Sequence, residues 1–196
     1  MHKITLLVFA CLVVTACAVS RVDPISVPLV YQTNPKNAGV LGELRCNAIS
    51  QVVATDARTD KSLGIRMLEG KPERAAVSAA GDAAAWVQNG VQGLLGQNGV
   101  VKGSGPALVV VLDDLRTTES IWHRASYDAH IGLTGQLQSP SRKVCWTGTV
   151  EGTGGDYGYA GRIETYQSML NTALDSAVLH LAQSPGFKDA LCHCGN

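Results

Sequence analysis

Little in this 196-residue chain carries charge. Charged residues make up 16% of it, basic and acidic side chains number 16 each, and the sequence pI is near 6.9. That balance lacks the basic footprint that nucleic-acid binding needs. Aromatic residues are only 5%, so a core has to be built mainly from Val, Leu, Ile and Ala. Hydrophobic residues at 45% still suffice for one, which excludes a disordered chain, and the length favours a single domain. Enzyme motifs are missing as well: there is no Gly-x-Ser-x-Gly elbow, no His-Glu-x-x-His pair, no Walker loop and no Cys-x-x-Cys. No cofactor or metal is expected.

What is there begins at the N-terminus. Met1-His2-Lys3 is a short basic start, and Ile4 to Ala16 is almost wholly apolar. Those residues span roughly 20 Å as a helix, too short for a ~30 Å hydrocarbon core but suited to a secretion signal over 1–16. Val14-Thr15-Ala16-Cys17 resembles a bacterial lipobox. The resemblance implies that the thiol of Cys17 carries lipid and that Cys17 becomes the first mature residue. Ala18 lacks the Asp that commonly retains such proteins at the inner membrane, so the expected location is the outer membrane, on its periplasmic face.

Residues 17–42 read as a tether, because Pro24, Pro28 and Pro35 exclude a helix and disfavour a central strand. Stretched, it reaches roughly 85 Å. The apolar run Ser26 to Tyr31 is suited to docking as an edge strand. The single domain is expected over 43–196. Its strands are expected at 43–55, 62–68, 107–112, 122–137 and 143–151, the last two forming a hairpin through Ser139-Pro140-Ser141. Helices are expected at 78–97 and, on the best periodicity in the chain, at 162–183, stopped by Ser184-Pro185-Gly186. The fold class is therefore α+β: a two-layer sandwich of a mainly antiparallel, about five-stranded sheet under two amphipathic helices. The Gly-rich stretch 152–161 reads as a flexible loop. Its Tyr157 and Tyr159 are candidates for a binding lip for lipid or sugar.

A local repeat stands out. Asp56-Ala57-Arg58-Thr59-Asp60-Lys61-Ser62-Leu63 reappears as Asp114-Leu115-Arg116-Thr117-Thr118-Glu119-Ser120-Ile121. Asp and Thr readily cap tight turns, so both copies read as hairpin turns. Arg58 and Arg116 are the candidate partner-binding residues, able to grip a lipid head group or a partner carboxylate. The first turn (Asp56, Arg58, Thr59, Asp60, Leu63), together with the element order over 39–191, resembles the YajG-type family of bacterial lipoproteins. The resemblance implies an envelope location and a fold, but no reaction.

Cys46, Cys145, Cys192 and Cys194 remain once Cys11 leaves with the signal and Cys17 carries lipid. An even number in an oxidising compartment points to disulfides. Four cysteines allow three pairings. A Cys-x-Cys ring is strained, which favours Cys192 and Cys194 reaching separately to Cys46 and Cys145. Cys192-His193-Cys194 also offers soft ligands for copper(I) or zinc. Asp113 and Asp114, as neighbours on a strand, should face opposite sides. His123 and His130 read as ordinary polar positions, and Trp86, Trp122 and Trp146 as core or sheet-face residues. The functional expectation is a lipid-anchored, non-enzymatic binding or scaffold protein of the cell envelope, held at the membrane by its lipid, with an envelope protein as partner and lipid as a second candidate. The alternative is an accessory or carrier in lipid transport, which needs an unfilled apolar groove between sheet and helices.

Overall fold

Inward Leu108, Val110, Leu112 and Leu115, all buried, make one strand of Ala107–Ile121, here β5, the spine of the molecule. The structure, a computed structural model, describes residues 21–42, 44, 49–101, 103 and 105–194. The other described strands are β1 (Ile25–Pro28), β2 (Gln51–Asp56), β3 (Gly64–Leu68), β4 (Arg74–Ala80), β6 (Ala125–Gln138) and β7 (Val144–Gly158). Helices are α1 (Ala83–Gln97), α2 (Ile163–Gln183) and α3 (Phe187–His193), with a 3-10 turn at Pro35–Asn37.

The result is an open, mixed seven-stranded sheet with order β1-β4-β3-β5-β6-β7. The α+β class holds, but the sheet is larger and less antiparallel than expected. β5 is long enough to pair twice along one edge. Its first half runs parallel to β2 (Gln51↔Ala107 to Asp56↔Leu112), its second half parallel to β3 (Gly64↔Thr117 to Leu68↔Ile121). Its other edge pairs antiparallel with β6, and β6 with β7.

Four sequence expectations change. The helix expected at 78–97 starts at Ala83, because Arg74–Ala80 is paired by β3 on one side and β1 on the other. Asp82 caps the helix, its carboxylate accepting from the N–H of Ala84 at 2.8 Å. The loop expected at 152–161 is strand as far as Gly158. Of the strand expected at 43–55, residues 51–55 are strand, as β2, residues 44, 49 and 50 are not part of it, and residues 43 and 45–48 lie outside the described residues. The tether is docked well beyond the edge strand expected within Ser26 to Tyr31, which is present as β1. β1 lies parallel to β4, Tyr31 Oη and Asn37 Nδ2 donate to the Asp175 carboxylate at 2.7 and 2.8 Å, and Leu41 is buried. Burial raises the Asp175 carboxyl above the usual carboxylate range, and those two donors offset part of that rise.

One face of β5–β7 is covered by α2, whose Tyr166, Met169, Leu170, Ala173, Leu174, Ala177, Val178 and Leu181 are all buried. Each large apolar side chain so buried contributes about 1.5–3 kcal/mol. α1 packs beside α2, joined by Trp86 Nε1 donating to Asn171 Oδ1 at 3.1 Å. A Cβ at Gly90 would sit 2.3 Å from Leu174 Cδ2, so the two helices meet closely only because no side chain stands there. The opposite face of the sheet carries Asp114, Arg116, His130, Thr134, Glu151 and Thr153 and is the more polar one.

Candidate functional site

Because β2 and β3 pair with the same edge of β5 but not with each other, the segment between them lies alongside residues 113–117. The two copies of the repeat therefore meet. Together they line a cavity of about 470 Å³, with Arg58, Thr59 and Asp60 on one wall and Asp113, Asp114 and Arg116 on the other.

The copies are not alike. The first is the expected turn: the Arg58 N–H donates to Asp56 Oδ1 at 3.0 Å, and the Ser62 N–H to Asp60 Oδ1 at 2.8 Å. The second is no turn at all. It is the continuous second half of β5, where Leu115, Thr117 and Glu119 face inward and Arg116 outward. The same Asp-x-Arg spacing thus serves two geometries. In the strand, residues two apart share a face, so Arg116 Nε reaches Asp114 Oδ2 at 2.7 Å while its side chain stays 71% exposed. In the turn, Arg58 folds inward and only 5% of its side chain is exposed. Its Nε and Nη2 form a fork on Asp56 at 3.0 and 2.9 Å, and Nη1 donates to the Ser62 carbonyl at 3.0 Å. Of the two arginines read as partner-binding, only Arg116 presents its charge to solvent; Arg58 holds the turn shut.

Asp56 is the anchor of that turn. Burial raises its carboxyl, but the hydrogen bonds from Arg58 and Lys61 and the Arg58 charge outweigh it and hold it at about 2. The folded value is below the 3.8 of a free aspartate, so the unfolded chain takes the proton first. The stability Asp56 contributes, on the order of 2 kcal/mol, is present above about pH 4 and is lost as pH falls through 2. Urea denaturation should show Asp56→Asn less stable than the native chain at pH 7 and the gap closing near pH 2. A gap that does not change with pH would assign the residue a purely steric role.

Asp113 and Asp114 share the cavity, contrary to the strict alternation expected of them. The register with β6 shifts between Leu112 and Asp114, and this bulge brings both carboxylates to the open face while Leu112 and Leu115 stay buried. Asp113 Oδ2 accepts from Thr134 Oγ1 at 2.6 Å. His130, opposite Arg116 in register, lies between two carboxylates: Nδ1 is 3.0 Å from Asp114 Oδ2 and Nε2 is 3.4 Å from Glu151 Oε2. Sequence reading missed this strip from Arg116 to Glu151, because its members meet only through the β5–β6–β7 register. The strip presents charges of both signs and hydrogen-bonding groups on the open face of the sheet. Among the described residues no cluster of three or more His, Cys, Asp or Glu is placed to hold a metal ion, and no helix is long and apolar enough to cross a membrane.

Cys145 and Cys194 form a disulfide across a Cα–Cα distance of 5.7 Å, tying α3 to the start of β7. Cys192 is disulfide-bonded as well. Both sulfurs of the Cys192-His193-Cys194 run are therefore engaged, which removes them as soft metal ligands. Cys17 and Cys46 lie outside the described residues. Trp86 is in the core as expected, and Trp146 packs edge-on against Phe187 with ring centroids 5.0 Å apart. Trp122 instead stands 72% exposed at the tip between β5 and β6.

No family model matches the chain, and no curated protein does. Among solved structures it is similar to a Xanthomonas campestris protein of family model DUF330, with a TM-score of 0.52 at 13% identity, over 81% of this chain and 92% of that one. A minor lipoprotein from Acinetobacter baumannii matches with a TM-score of 0.39 at 12% identity, over 66% and 93% of the two chains. An uncharacterised protein matches at 0.35 and 11%, over 83% and 97%. At 13% identity, the Xanthomonas likeness speaks for a shared α+β fold and for nothing beyond it.

Proposed function

We propose that this chain is a lipid-anchored, non-enzymatic binding lipoprotein of the bacterial envelope, akin to the YajG-type lipoproteins and facing the periplasm from the outer membrane. The observation that carries the reading is Val14-Thr15-Ala16-Cys17 directly after a short apolar run. The Cys145–Cys194 disulfide agrees with an oxidising compartment. Cys46 is assigned as the partner of Cys192. The partner-binding surface is the cavity between the 56–63 turn and β5, with Arg116 as its presented charge and an envelope protein as its ligand. The carrier alternative finds less support, since the layer between α2 and β7 is filled: a Cβ at Gly152 would already lie 2.1 Å from the Ala173 carbonyl oxygen.

Mass spectrometry of the mature chain without reduction should give an acylated N-terminal peptide at Cys17 and a Cys46–Cys192 cross-linked peptide. Photo-crosslinkers placed at Thr59 and Arg116 in intact cells should give discrete protein adducts. An unmodified Cys17 would overturn the anchor, and adducts no stronger than at exposed control positions would overturn the assigned surface.

A further inference from the structure

Docking of the tether shortens the leash. Arg66 Nη1 donates to the Asp23 carbonyl at 2.8 Å, which fixes Asp23 at this end of the domain. Asp23 lies six positions after Cys17, at most roughly 20–22 Å of fully extended chain. If Cys17 carries lipid, as the proposed function has it, the bilayer lies within that reach of Asp23.

What stands beside Asp23 is unusual for a solvated surface. A Cβ at Gly161 would lie 2.9 Å from Arg66 Nη2, so Asp23 and Gly161 share one guanidinium. Two residues earlier is Tyr159, 69% exposed, with Tyr157 at 63% beside it. The Arg124 guanidinium carbon is 6.0 Å from the centroids of both tyrosine rings. Arg124 belongs to the β5–β6 tip, where Trp122 is 72% exposed with its ring 4.5 Å from that of His123. Three large amphipathic aromatics and a cation thus converge on one end of the sheet.

We propose that this end, formed by Trp122, Arg124, Tyr157 and Tyr159, rests on the phospholipid bilayer that holds the anchor. Trp and Tyr favour the membrane interface because an apolar ring body enters the acyl boundary while N–H or O–H stays among the head groups. Arginine snorkels there, its stem on the apolar side and its charge at the phosphates. The short leash selects the bilayer over a distant partner, because it holds this end against the membrane continuously. The domain then has a fixed orientation rather than swinging freely.

The test uses the full mature lipidated protein in phosphatidylethanolamine–phosphatidylglycerol vesicles, with and without brominated acyl chains. Acylation at Cys17 is read by mass and vesicle binding by flotation. Tryptophan emission should fall with brominated lipid, and Trp122→Phe should abolish that loss while the protein still floats; Trp86, buried in the core, stays out of reach. Flotation without bromine quenching, or quenching unchanged in Trp122→Phe, overturns the docked orientation and leaves the anchor standing. A Cys17 without lipid overturns both.

Discussion

Glu119→Ala should cost about 3–5 kcal/mol, the range for removing one partner of a buried ion pair. Glu119 is fully buried and serves three donors: Arg66 Nε at 2.7 Å, Tyr166 Oη at 2.8 Å and the Gly161 N–H at 2.6 Å. Its removal strands a guanidinium of which 9% is exposed, and leaves a hydroxyl and an N–H beside the start of α2 without their acceptor. Burial above all, and then Glu119 itself, push the Tyr166 hydroxyl well above the usual tyrosine range, so it remains a donor at any working pH. Tyr127, raised to about 12 chiefly by burial, accepts from the Arg162 N–H and donates to the Tyr159 carbonyl in the same cluster. Against a total stability of roughly 5–15 kcal/mol, this single loss is large. The cost lies in the stranded charge rather than in a strong net bond, so Arg66→Met combined with Glu119→Leu should lose less than Glu119→Ala alone. Urea denaturation of the native chain and both variants decides it. A Glu119→Ala loss below about 1 kcal/mol would show that the cluster relaxes or hydrates freely.

None of that cluster was legible in sequence. Glu119 sits in the second copy of the repeat, where it reads as a turn residue, and Arg66 is 53 positions away. Local signals served where local physics decides. The long apolar periodicity of α2, the aliphatic run opening β5 and the Ser139-Pro140-Ser141 turn all matched the structure closely. They failed where tertiary pairing overrides propensity. Ser78, Ala79 and Ala80 read as the start of a helix, yet they end a strand, Arg74–Ala80, held between β1 and β3. The Gly81-Asp82 pair did carry a boundary signal, since Asp82 is the helix cap. Of the site, the repeat marked both walls of the cavity. Only the shared pairing of β2 and β3 with β5 brings them together, and only burial tells Arg58 from Arg116.

Gly152→Ala should be among the most damaging small substitutions in the chain, costing about 3 kcal/mol or more. The β7 segment Glu151–Gly158 looked like a loop because it is crowded with glycine, but glycine in a strand also marks close approach of another backbone. Here the second meaning holds. A Cβ at Gly152 would lie 2.1 Å from the Ala173 carbonyl oxygen and 2.5 Å from the Ala177 nitrogen, and one at Gly154 2.2 Å from the Met169 carbonyl oxygen. These are helix backbone atoms and cannot rotate aside as a flexible side chain would. A methyl group at 152 therefore has to lift α2, drawing Met169, Ala173 and Ala177 off the sheet and straining the Glu119 contacts that fix the helix start. Gly155, in the same strand, is the control: its Cβ would meet nothing closer than the Tyr127 carbonyl oxygen at 3.6 Å, an ordinary contact. Gly155→Ala should change stability by no more than about 0.5 kcal/mol, the usual range for a surface change. Thermal and urea unfolding of the two variants side by side separate the readings. Equal effects would mean that glycine matters in β7 through strand propensity; a loss confined to Gly152→Ala means that α2 is seated directly on the β7 backbone, with no room between the layers for an acyl chain there.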